Sequence, residues 1–208
     1  RLPGAKFIEI RIPEEMGKRI FNITASISGL LILTPLLLLI AVLIKIKMNG
    51  PVIFSQERMG RFGKLFTIYK FRTMVLAHNG SMVSVRGESR ITPLGKVLRK
   101  YKLDELPELW NVVKGDMSFV GPRPDMPYLY ENLNKEEKKI LELRPGITGP
   151  ASLRYSNEEE LLAGVEDPER YSVKVLWPDK VRLNLEYYYK RSLFSDIRII
   201  FKTVFRSG

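Results

Sequence analysis

One uninterrupted apolar run, residues 20–44, constrains this chain more than any other stretch: IFNITASISGLLILTPLLLLIAVLI. It holds no charged residue, and the chain has no second run of the kind. A helix needs about 20 apolar residues to cross a bilayer, so length alone permits a crossing. Two features oppose one. Lys18-Arg19 precede the run and Lys45-Ile46-Lys47 follow it, whereas cations mark the cytoplasmic side of a crossing. Thr34-Pro35 falls near the middle, and proline removes a backbone donor and clashes with the preceding turn. Together these predict a re-entrant helix–break–helix that dips into the membrane and returns. A crossing helix with an incidental kink is the plainer alternative. The Thr34 hydroxyl can bond back to a carbonyl and ease the break. Asn22, Thr24, Ser26, Ser28 and Gly29 give the first leg a helix-facing side. Residues 36–44 are nearly all apolar, so the two legs are expected to pack together. A signal peptide is excluded: the run is too long, and cations stand where a small-residue cleavage site belongs.

Charge narrows the partners. Lys and Arg number 34 against 23 Asp and Glu, a net +11. Such an excess suits anionic lipid, phosphorylated substrates or nucleic acid. There is no cysteine and a single histidine, His78. Disulfides and thiolate metal sites are thereby excluded, and Ser-His or His-metal chemistry has almost no material. The chain opens on Arg1 rather than methionine, as a processed or partly observed chain would.

Taken in order, residues 1–16 read as a leader, with a strand-like alternation over 7–12. Residues 17–48 are the anchor and 49–208 a domain of ordinary size. Residues 52–54 and 65–69 are rich in branched and aromatic side chains and predict a small β-hairpin around a basic, glycine-punctuated loop. In Tyr69-Lys70-Phe71-Arg72, alternation places Lys70 and Arg72 on one face, where two cations can hold a phosphate or simply face solvent. Residues 75–91 read as loop, His78 included.

The chemistry is expected between residues 92 and 124. Thr92-Pro93 starts a helix, Thr as N-cap and Pro at the first position. Leu94, Val97, Leu98 and Tyr101 keep helical spacing and predict a buried stripe. A second helix is expected from near Asp104 to near Gly115. Asp104 would then cap its N-terminus, where the dipole keeps a carboxylate ionised and phosphate oxygens are received. Glu105 beside it adds a second oxygen ligand, a pair that suits Mg²⁺. An Asp cap with a dipole-complementing Glu is the plainer reading. In Pro122-Arg123-Pro124 two prolines stiffen the backbone around Arg123, whose guanidinium suits phosphate and flat rings. Residues 135–143 predict a charged helix and 157–162 a short acidic one. Residues 179–205 combine aromatics with cations at helical spacing. They predict an interfacial helix, with a terminal core helix as the alternative.

Several motifs in order carry a resemblance. They are Lys18-Arg19, Pro35, Gly50-Pro51-Val52, Gln56-Glu57-Arg58-Met59-Gly60 and Tyr69-Lys70-Phe71-Arg72-Thr73-Met74. Leu103-Asp104-Glu105-Leu106-Pro107, then Asn111 onward through Gly121-Pro122-Arg123-Pro124, and Arg144-Pro145-Gly146-Ile147-Thr148-Gly149 complete the set. The chain resembles the bacterial sugar transferases, the monotopic phosphoglycosyl transferases, over about residues 17–206.

The resemblance implies transfer of a sugar phosphate from a UDP-sugar to polyprenol (undecaprenyl) phosphate, with release of UMP. That is the first membrane step of a bacterial glycoconjugate pathway: exopolysaccharide, O-antigen, capsule or glycoprotein. It implies Asp104 as nucleophile of a two-step reaction through a phosphosugar–enzyme intermediate, with Glu105 as its partner and Mg²⁺ ligand. It implies Pro122, Arg123 and Pro124 as the nucleotide contact and Arg99 as a phosphate contact, with Lys70 and Arg72 in a basic strand motif. The fold class implied is α+β and mostly helical: a re-entrant anchor broken at Thr34-Pro35, a small hairpin, and amphipathic interfacial helices around the active site. The place implied is the cytoplasmic face of the inner membrane. The partners are the donor, the acceptor, membrane lipid and downstream glycosyltransferases, without nucleic acid. Two departures stand out. Asn22 replaces a frequent acidic residue, so hydrogen bonds at best should hold the start of the anchor, and Thr34-Pro35 replaces Ser-Pro. Direct transfer in a ternary complex, with the two carboxylates only holding metal, and a non-catalytic basic membrane module are the alternatives.

Overall fold

In a computed structural model of the protein, residues 13–75 and 90–206 are described. The leader's strand-like segment and His78 lie outside them. The architecture is mostly helical around two small sheets.

Helix α1 runs over Pro13–Lys47 and begins inside the stretch read as leader. It continues through Pro35, where the sequence predicts a break. The Thr34 hydroxyl donates to the Leu30 carbonyl at 2.7 Å, the back-bond expected of it. Asn22 and Ser26 are buried, and a Cβ on Gly29 would lie 3.5 Å from Leu109. Asn22, Ser26 and Gly29 therefore face the rest of the body, Gly29 against the helix over Glu108–Lys114, instead of the second half of α1, while Thr24 and Ser28 stay exposed. The second half buries Ile40 and Ile44, with Met48 just beyond, against Phe71 and Leu98. Both ends of α1 thus rest on one body. Leu31, Ile32, Leu38, Leu39 and Val42 stay exposed between them.

Strands β1 (Ile53–Met59) and β2 (Leu65–Phe71) pair antiparallel, from Ile53 opposite Phe71 to Met59 opposite Leu65. The hairpin is longer than its apolar residues predict, since Gln56, Glu57 and Arg58 also lie in strand. A Cβ on Gly60 would stand 2.6 Å from the Lys64 carbonyl, so only glycine closes this turn.

Helix α2 (Pro93–Lys100) has the expected cap: Gly95 N–H donates to Thr92 Oγ1 at 2.9 Å. Its stripe is only half as predicted. Leu98 is buried and Leu94 partly so, but Val97 and Tyr101 are 50% and 55% exposed. Lys102, left-handed at φ 53°, turns the chain into a 3-10 turn over Leu103–Glu105. Helix α3 (Glu108–Lys114) follows and ends on left-handed Gly115.

Strand β3 (Ser118–Val120) pairs parallel with β4 (Gly146–Thr148). A Cβ on Gly149 would meet the Gly121 carbonyl at 2.2 Å, and one on Gly121 the Arg144 carbonyl at 2.2 Å, which explains glycine in both motifs. Residues read as a charged helix near 135–143 form a 3-10 stretch over Glu137–Glu142. Short helices α4 (Pro150–Arg154), α5 (Glu158–Ala163) and α6 (Pro168–Tyr171) lead to α7 (Trp177–Lys190) and α8 (Leu193–Arg206). The single interfacial helix expected over 179–205 is therefore two. Helix α7 is a core element, with Trp177, Val181 and Tyr187 buried, and α8 exposes Phe194, Phe201, Val204 and Phe205.

Candidate active site

The 3-10 turn, β2 and the Pro-Arg-Pro turn meet at Glu105. Lys70 Nζ donates to Glu105 Oε1 at 2.9 Å and an Arg123 N–H donates to the same oxygen at 2.7 Å. Lys70 Nζ also lies 3.0 Å from Glu108 Oε1. Each partner is positioned by its backbone. Asn111 is fully buried and serves the edge of β2, accepting from Tyr69 N–H at 3.1 Å and donating to the Thr67 carbonyl at 2.7 Å. That clamp fixes α3, and so Glu108, beside Lys70. The Pro122 carbonyl accepts from Gly146 N–H at 2.8 Å, and the Asp125 carbonyl accepts from Met59 N–H at 3.2 Å. The turn carrying Arg123 is thereby tied to both sheets.

The electrostatics divide the carboxylates. Burial works against ionised Glu105, but Arg123 and Lys70 outweigh it and hold its pKa well below the usual carboxylate range. Burial and the Glu105 charge raise Asp104, while Lys70 and Arg99 pull it back. Glu108 is pushed up to about 7, chiefly by burial, with Glu105 adding and Lys70 opposing. Arg123 and Lys70 are both raised. For Arg123 the leading cause is Glu105; for Lys70, burial opposes and Glu105 with Glu108 prevail.

Most predicted site residues converge here: Lys70, Asp104, Glu105 and Arg123, the last between Pro122 and Pro124. Arg99 stands close enough to stabilise the Asp104 charge, and its guanidinium pairs with Glu159 of α5. Arg72 bonds elsewhere. It is buried and donates to the Asn49 and Met48 carbonyls at 2.6 and 3.2 Å, fastening the chain just after α1. Asp104 lies in the 3-10 turn and does not cap α3, which starts at Glu108 after Pro107. Thr34 and Pro35 belong to the exposed middle of α1.

Two members carried no role in the sequence reading. Glu108 is 2% exposed and lies three residues past Glu105, the one available signal. Arg58 sits in the Gln-Glu-Arg-Met-Gly motif; burial disfavours its charge and Asp125 supports it, with Arg123 and Glu108 in its field.

Among the described residues no three Asp, Glu or His side chains converge as a metal site. Asp104 and Glu105 offer two carboxylates, and both cations on Glu105 use Oε1. Among the described residues no side-chain hydrogen bond holds the Asp104 carboxylate.

The profile of the bacterial sugar transferase family matches residues 13–207. The exopolysaccharide production protein PSS of Rhizobium leguminosarum is 39% identical, over 90% of this chain and 92% of its own length. The galactosyl transferase CpsE of Streptococcus agalactiae is 38% identical over 91% of this chain. This chain spans only 41% of that protein and 42% of an Aeromonas hydrophila relative. A UDP-glucose:undecaprenyl-phosphate glucose-1-phosphate transferase of Caulobacter vibrioides is 36% identical, over 93% of this chain and 70% of its own length. With a family match across nearly all of its length, the chain belongs to the bacterial sugar transferase family.

Proposed function

We propose that this chain transfers a sugar 1-phosphate from a UDP-sugar to undecaprenyl phosphate and releases UMP. The observation that carries the reading is the contrast at the centre of the site. Glu105 is clamped by two cations, while among the described residues no side chain donates to Asp104 beside it. An Asp104 oxygen attacks the sugar-bearing phosphorus, and the bond from that phosphorus to the bridging oxygen breaks, so UMP departs with the bridging electrons. The phosphosugar is then an acyl phosphate on Asp104. A phosphate oxygen of the acceptor attacks the same phosphorus, expels the carboxylate and forms the polyprenyl-diphosphate sugar. Splitting one transfer into two is the advantage of a covalent route. The partly exposed Arg123 receives donor phosphate oxygens, and Lys70 keeps Glu105 in place for it.

Asp104 and the second oxygen of Glu105 fit Mg²⁺, which takes few protein carboxylates and completes its shell from substrate phosphates and water. When bound there, the ion supplies charge neutralisation as the anhydride opens.

The seating is monotopic, on the cytoplasmic face of the inner membrane. Both ends of α1 are fastened to one body, so an anchor that enters and leaves by the same face suits it better than a crossing. The names of relatives that use undecaprenyl phosphate support the acceptor. Downstream glycosyltransferases would extend the product.

The test is UMP release with undecaprenyl phosphate and a panel of UDP-hexoses and UDP-N-acetylhexosamines. At least one donor should turn over with parallel double-reciprocal lines, and Asp104→Asn should lower the rate by at least about 10³-fold. Intersecting lines, or no UMP from any donor, would overturn the reading.

A further inference from the structure

A cationic cavity, sharing no residue with the Glu105 cluster, opens near the start of α1. Lys18, Arg19, Arg144, Arg191 and Asp196 contribute its charges, and Ser192 and Leu193 at the start of α8 complete part of its wall. The one carboxylate is already engaged: Asp196 takes Lys18 Nζ at 2.7 Å and the Tyr187 hydroxyl at 2.5 Å. Arg19 donates to the Val112 and Val113 carbonyls at 2.6 and 2.9 Å. Arg191 donates to the Tyr188 carbonyl and lies over the Tyr188 ring. Carbonyls and a ring orient Arg19 and Arg191, and Asp116, outside the lining, supports the Arg19 charge; four cations against Asp196 still leave the lining net positive.

Two further observations point to the occupant. Helix α8, 14 residues long, begins at this wall with Ser192 and Ser195 exchanging backbone-to-hydroxyl bonds at 2.9 and 3.1 Å. Its positive dipole end adds to the cationic field. Next to the cavity residues, Ile20 and Phe194 are 59% and 79% exposed. Apolar side chains thus flank the cations on both elements, the pattern of a site at head-group depth, where basic pockets beside membrane helices bind anionic lipid heads.

We propose that this cavity binds the phosphate of one anionic glycerophospholipid, whose chains run along Ile20 and Phe194, and that the lipid joins the start of α1 to the start of α8. This needs the membrane seating but not the transfer chemistry, so its failure leaves the Asp104 reading standing.

The experiment is native mass spectrometry of the purified full chain in a neutral detergent, titrated with phosphatidylglycerol or phosphatidylcholine. The expected result is one phosphatidylglycerol per chain in clear preference to phosphatidylcholine. Arg191→Gln should weaken it about tenfold or more, Arg191→Lys much less, and Lys202→Gln, a control on the exposed part of α8, not at all. Because Arg191→Gln could unfold the α7–α8 junction, the wild-type preference is a separate criterion. Equal uptake of the two lipids, or equal loss in Lys202→Gln, would mean diffuse surface attraction and overturn the site. One-for-one displacement by undecaprenyl phosphate would assign the cavity to the acceptor and overturn it as well.

Discussion

Lys70 serves two carboxylates, and they respond in opposite directions. Glu105 shares its oxygen with Arg123 as well, and two cations outweigh its burial. Glu108 has Lys70 alone at 3.0 Å, without hydrogen-bond geometry at that oxygen, and feels the Glu105 charge. Its pKa is therefore up near 7 when folded, against 4.5 for an ordinary glutamate. The folded state binds the extra proton between those values. Stability from this group is thus fully present below about pH 4.5 and is lost as pH rises toward 7. Glu108→Gln holds the neutral form at every pH. It should flatten the fall in melting temperature over that range and gain stability above pH 7, with a ceiling of about 3 kcal/mol. An unchanged slope would show that Glu108 is ionised throughout. Asp104 and Glu105 were legible in the sequence because adjacent carboxylates in an ordered set of motifs are a local signal. Glu108 was not, because its raised pKa depends on burial beside Lys70, in a body where Asn111 ties α3 to β2.

The start of α1 shows what local pattern can and cannot specify. Lys18-Arg19 were readable as its basic flank, and the Thr92 cap as the start of α2, since each needs only its neighbours. The counter-charge of Lys18 was not, because Asp196 comes from α8, far along the chain. With Asn22 in place of an acid, hydrogen bonds at best were expected there. Instead Lys18 keeps an ion pair, and Asn22 Nδ2 donates to Ser118 Oγ at 2.9 Å. Asp196→Asn should cost about 3 kcal/mol, the scale of breaking a buried pair. Residue 22 lies one helical turn from Lys18, so Asn22→Asp should restore a good part of that loss in the double variant. Purely additive losses on thermal unfolding would show that the two positions do not share Lys18. The division between α7 and α8 escaped the sequence for a related reason. No Gly or Pro marks Arg191-Ser192, and only tertiary packing separates a buried Tyr187 from an exposed Phe194.

At the scale of the molecule, a single body grips α1 at Lys18, Arg19 and Asn22 and again at Ile40 and Ile44. In the proposed seating the exposed apolar middle enters lipid while both ends stay with the rest of the body. The chain has no cysteine of its own, so Met16→Cys and Ile46→Cys, at sites 71% and 72% exposed, report sidedness cleanly. Both should react with a membrane-impermeant maleimide from the cytoplasmic side only; reaction from opposite sides would establish a crossing. In the proposed seating Asp104 would stand at the depth of the acceptor's phosphate, where it is to act as nucleophile. The most direct measurement is a single turnover without acceptor, using an accepted UDP-sugar labelled with ³²P in the phosphate next to the sugar. Transfer through Asp104 requires about one label per chain on that residue, stoichiometric UMP, loss of the label when undecaprenyl phosphate is added, and none in Asp104→Asn. Full turnover with acceptor but no label on Asp104 would contradict it.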